Sequence, residues 1–144
     1  RAQIDAFRRW LYARQGRRSA FWLPTFAQDL AVVASIGSAA TTIDVEHCGY
    51  TDHIAQRIGR RDIRILLASG TGYMRRITGS TEISAAVERL TIDSALGVDV
   101  PADSVVSISY MDLVRQAADA VELSWWTSDV VEASLVLQGS RNDL

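Results

Sequence analysis

Apolar residues in the first fifteen positions recur three and four apart. Ile4, Phe7 and Leu11, with Trp10 alongside, form a stripe of helical period, and Gly16 follows as a natural stop. The spacing predicts a short N-terminal helix with Arg8, Arg9 and Arg14 mainly on its other face. From Phe21 onward the period changes. Residues 30–36 are a β-branched run ended by Gly37-Ser38, and residues 41–45 alternate, so the two predict a β-hairpin. Residues 63–67 and 73–77 flank Gly70-Thr71-Gly72 as a second hairpin. Residues 87–92 and 105–108 have strand composition, separated by a turn region at 97–103 where Pro101 is awkward inside a strand. Segments 113–116, 121–127 and 130–137 complete the strands, and residues 51–60 fit a short helix or a loop.

Short strands at near-regular spacing, with turn signals between them, predict a mainly β fold: a β-barrel or sandwich of short antiparallel strands with a short N-terminal helix. The expected division is an N-terminal basic helical segment at 1–18 and a single β-rich domain at 19–144, with no internal repeat and no linker. Trp125-Trp126 adds a constraint. Neighbours in a strand face opposite sides, so only one of the two rings can enter a core. The other must be covered by the helix, by another chain, or by nothing.

Composition narrows the class. With 144 residues, 48% of them hydrophobic and 22% charged, the chain can bury one continuous core and is neither disordered nor low-complexity. No apolar run approaches the ~20 residues of a membrane-spanning helix, so no membrane partner is expected. Cys48 is the only cysteine, which excludes an intramolecular disulfide and fits a reducing compartment. The chain begins at Arg1 rather than Met, so a preceding segment is expected.

The charges are unevenly placed. All fifteen basic residues are arginine. Residues 1–18 hold six of them (Arg1, Arg8, Arg9, Arg14, Arg17, Arg18) against one acid, whereas residues 77–144 hold three against eleven. The lack of lysine beside nineteen alanines fits a GC-rich genome; the placement is not explained that way. A basic head and an acidic tail on one chain suit contact between copies, or contact with a polyanion.

Candidate chemistry is sparse. Glu46, His47, Cys48, Asp52 and His53 have metal-ligand types, but zinc sites usually pair their ligands as spaced knuckles, and there is no second Cys or third His. No metal is expected, although a site at His47, Cys48 and His53 stays open. Gly70-x-Gly72 fails the dinucleotide fingerprint because Arg75 stands where a third glycine is needed, and a P-loop needs a lysine. There is no Gly-x-Ser-x-Gly elbow, and no spacing marks paired carboxylates with divided roles. Neither a cofactor nor an enzymatic activity is expected. Nucleic-acid binding remains the alternative function, since Phe7, Trp10, Tyr12, Phe21 and Trp22 interleave with the arginines of the basic head.

Residues 14–30, Arg-Gln-Gly-Arg-Arg-Ser-Ala-Phe-Trp-Leu-Pro-Thr-Phe-Ala-Gln-Asp-Leu, resemble the segment of small β-rich tail-tip proteins of long-tailed bacteriophages and prophages in which an arginine- and glycine-rich link precedes Phe-Trp-Leu-Pro. The 30–45 hairpin, Arg64-Ile-Leu-Leu67, Val106-Ser-Ile-Ser109, Leu113-Val-Arg115 and a terminal hairpin at 122–137 follow in the same order. Gln116 departs from the aromatic usual in the family at that position. The resemblance implies a non-enzymatic distal tail (baseplate) structural protein. Such proteins form a homo-oligomeric ring that joins the tail tube to the hub and host-recognition apparatus, located in the virion tail after assembly in the bacterial host cytoplasm. Arginine pairs bidentately with carboxylates and stacks on aromatic rings, and both residue classes are enriched at interfaces. The expected contact residues are therefore Arg8, Arg9, Trp10, Arg14, Arg17, Arg18, Phe21, Trp22, Trp125 and Trp126.

Overall fold

In the computed structural model, which describes residues 1–55 and 57–140, the elements run in the order α1 (Ala2–Arg14), β1 (Phe21–Pro24), β2 (Thr42–Glu46), β3 (Asp62–Leu67), β4 (Gly72–Ser84), β5 (Val87–Ile92), β6 (Val105–Gln116), β7 (Leu123–Trp125), β8 (Val131–Ala133) and β9 (Leu137–Gly139). They gather into two compact units. One is Pro24–Asp112; the other joins Arg1–Leu23 to the C-terminal residues from Leu113. The N-terminal helix therefore shares its unit with the chain's C-terminal segment.

The Pro24–Asp112 unit is built on an antiparallel sheet in the order β6-β3-β4-β5-β2. Strict alternation puts Ile43 and Val45 of β2, Ile63 and Ile65 of β3, and Leu90 and Ile92 of β5 on the buried face. Register aligns them, with Ile43 opposite Leu90 and Ile65 opposite Ile108, so cross-strand pairs of branched side chains stabilise this face. The expected 63–67/73–77 hairpin forms as β3 and β4. The protein is mainly β and antiparallel with one short N-terminal helix. The sheet is not closed into a barrel: among the described residues, β6 and β2 at the two ends of this order are not bonded to each other. Of the two expected architectures, barrel or sandwich, the sandwich-like one fits.

Three further expectations change. Residues 30–36 form no regular strand. They make isolated bridges, Leu30 with Ile108, Val32 with Val45, and Ile36 with Val100, because Leu30 and Ile36 are each buried at a different place in the core. The regular partner of β2 is β5 rather than the 30–36 segment. Strand β4 continues seven residues beyond Ile77, through a polar Thr- and Ser-rich stretch that apolar alternation does not mark. Its pairing with β5 shifts register after Ile77 and again after Glu82, the mark of bulges. Finally, 105–108 and 113–116 are the two ends of one strand, β6. The 51–60 region forms a π-helical turn at Tyr50–Ile54 and a 3₁₀ turn at Ile58–Arg60.

The second unit contains α1, a 3₁₀ turn at Gly16–Arg18, β1, the end of β6 from Leu113, and β7 to β9. Strand β9 pairs with residues 114–116 of β6, while β7 and β8 form a separate two-stranded ribbon. Burial is sparse here. Among its described residues only Gly16, Val114, Gln116 and Ser140 are buried, and no residue of α1 is. The whole core cluster, from Leu30 to Tyr110, belongs to the other unit.

Candidate functional site

All ten expected contact residues fall in the unit that lacks a core. The apolar stripe of α1 is half-buried as its period predicts. Phe7 and Trp10 stack at 6.0 Å, and Trp10 meets Phe21 of β1 edge-on at 5.0 Å. Arg14 does not lie on the opposite face as expected. Its guanidinium carbon sits 5.7 Å from the Trp10 ring centroid and 5.8 Å from that of Phe21, a cation–π position. Its Nε is buried without a hydrogen-bond partner. Trp22 is half-buried in β1.

The other arginines divide. Arg17 is held within the chain: its backbone N–H donates to Asp119 Oδ1 at 3.0 Å, and its side chain donates to Oδ2 at 3.2 Å. These contacts, the backbone one first, hold the Asp119 carboxyl below the usual range. Arg1 lies 3.5 Å from Asp129. Arg8, Arg9 and Arg18 are exposed and have no acidic partner within ion-pair distance among the described residues. Part of the basic head is thus neutralised by the acidic tail of the same chain.

Gly16 makes the Arg17–Asp119 contact possible. Helix α1 ends with Gln15 in the left-handed region at φ 51°, and Gly16 follows at φ 62°. A Cβ on Gly16 would stand 2.8 Å from the Asp119 backbone Cα. The close approach requires glycine, and the positive φ favours it.

Neither tryptophan of the expected pair enters a core. Trp125 is 53% exposed and Trp126 72%. The prediction assumed a half-buried sheet, but among the described residues β7 pairs with β8 alone and neither strand has a buried residue. The Trp126 indole N–H donates to Glu132 Oε2 at 3.1 Å across the ribbon. Between α1 and residues 116–123 lies a cleft of about 300 Å³, walled by Leu11, Val121 and Leu123, with Arg8 and Tyr12 also lining it. Periodicity marked Leu11 only as a core position, and nothing in sequence spacing announces the cleft.

The His47/Cys48/His53 region is organised around a residue the sequence reading passed over. Glu88 is fully buried in β5, and its carboxylate accepts from the backbone N–H groups of Cys48 (2.9 Å), Tyr50 (3.0 Å) and Thr51 (2.9 Å). Burial alone would raise its pKa; the three donors outweigh it and hold the carboxyl at about 2. The signal was available, since period two places Glu88 on the same face as Leu90 and Ile92. The Cys48 thiol is 3.5 Å from Glu88 Oε2. Burial first, and the Glu88 charge second, push this thiol up, the opposite of an activated nucleophile. His47 lies 3.7 Å from Glu82. Among the described residues no group of three or more His, Cys, Asp or Glu is gathered so as to hold a metal ion, and no helix is long and apolar enough to cross a membrane.

No protein-family model matches this chain, and no curated protein does.

Proposed function

We propose that this protein is a non-enzymatic assembly subunit whose working surface is the unit formed by its two chain ends. One observation carries the reading: among its described residues, a unit of two chain segments buries a single large apolar side chain, Val114, while exposing Tyr12, Trp125, Trp126, Val130 and Val136. The other apolar side chains packed in this unit, among them Phe7, Trp10, Leu11 and Trp22, are only half-buried. A partner that covers these aromatic and aliphatic side chains would supply the missing burial. The Phe21-Trp22-Leu23-Pro24 resemblance names the setting: a homo-oligomeric ring at the phage tail tip, contacting tail-tube and hub proteins in the virion tail.

Nucleic-acid binding is less well served by the geometry. Trp10 and Phe21, needed as stacking platforms, are engaged with each other and with Arg14, and bases stack on exposed rings.

Native mass measurement and light scattering over a concentration series test the proposal. Assembly into a closed oligomer, or capture of a tail-tube or hub protein, is the expected result. A protein that remains monomeric at high concentration and binds neither tail protein overturns it. A salt series with random DNA separates the nucleic-acid reading, which requires affinity to fall steeply with salt.

A further inference from the structure

We propose that the cleft between α1 and residues 116–123 is a socket for the Trp126 indole of a second copy. The inference rests on the assembly reading and names its contact. The knob is well exposed, and its own chain's cleft does not include it. The socket offers the aliphatic walls of Leu11, Val121 and Leu123 in a volume of about 300 Å³, enough for one large side chain and too little for a globular partner's whole edge.

Charge favours a second copy as the occupant: the Asp119 carboxylate that also lines the cleft is already engaged by Arg17, which leaves Arg8 as its uncommitted charge. Trp126 carries the Glu132 carboxylate on its own indole nitrogen. At the socket, Arg8 is exposed and has no acidic partner within ion-pair distance among the described residues. An inserted indole would bring Glu132 toward Arg8, and the guanidinium can also lie on the ring face. Trp and Arg are the residues that most often dominate an interface, particularly when desolvated together. Knob and socket are different patches of one chain, so the contact can propagate head to tail and close into a ring.

The test uses two exposed-site variants of the full chain, Trp126→Ala (knob lost) and Arg8→Glu (socket charge reversed), with circular dichroism to establish that each keeps the wild-type fold. Sedimentation equilibrium is expected to show self-association weakened by roughly tenfold or more in each variant. An equimolar mixture of the two should form heterodimers, because one intact knob still meets one intact socket. Concentration-dependent blue shift of tryptophan emission should be present in wild type and reduced in Trp126→Ala. If wild type associates and Trp126→Ala associates equally well, the knob-and-socket contact is overturned while assembly stands. If wild type stays monomeric throughout, the knob-and-socket contact is overturned, and the assembly reading falls with it only if no tail-tube or hub protein is captured either.

Discussion

Glu88 and Gly16 show how much a single position can hold. The Glu88 carboxylate fixes the start of the Tyr50–Ile54 turn by accepting three backbone N–H bonds. Its folded pKa of about 2 lies below the ordinary 4.5, so the stabilisation is complete above pH ~4.5 and is lost as the pH falls through about 2. Glu88→Gln keeps the shape but removes the charge, and should lower the unfolding free energy at pH 7 by about 3 kcal/mol. Urea denaturation of both proteins at pH 7 and pH 3 checks this, with the difference between them shrinking at the lower pH. For Gly16→Ala, the left-handed backbone alone costs about 1–2 kcal/mol, before the overlap with the Asp119 backbone. Loss of proteolytic protection at residues 15–19, with the melting of the Pro24–Asp112 unit unchanged, is the expected outcome.

Elements differ in how they are paid for in contacts. Strands β2, β3 and β5 place alternate branched residues on one buried face, which makes their register robust. Helix α1 has thirteen residues and none buried; a free helix of that length is marginal in water. The β7–β8 ribbon has three residues in each strand and is likewise below what a lone hairpin sustains. Arg17 tests how α1 is held. Its pair with Asp119 is exposed on both sides, so Arg17→Ala should leave thermal unfolding nearly unchanged. Arg18 has no such partner among the described residues, so Arg18→Ala should leave melting unchanged and weaken self-association in a salt-dependent way. If only Arg17→Ala affected assembly, the assignment of free and engaged arginines would be reversed.

At the scale of the molecule, the uneven distribution of burial has a measurable consequence. Amide exchange in the isolated protein should be slowest in β3, β5 and the first part of β6, which carry the core, and fast in α1 and β7–β8. Assembly should slow exchange in the second set and leave the first nearly unchanged. Uniform protection across both units before assembly would remove the main support for the assembly reading.

Local periodicity was enough to find α1, the β3–β4 hairpin and strand β5, because a stripe of period 3.6 or 2 is written in consecutive residues. Tertiary structure alone decided the rest. The 30–36 run has strand composition, yet Leu30 and Ile36 are claimed by different parts of the core. The polar half of β4 becomes a strand only because β5 lies beside it. Arg14 turns onto Trp10 and Phe21, and Arg17 meets an aspartate 102 positions away. The feature that carries the functional reading, residues 1–23 and the segment from Leu113 gathered into a unit whose described residues bury few side chains, is a property of which segments meet. Sequence spacing does not encode that, because pairing between distant segments depends on the packing of everything between them.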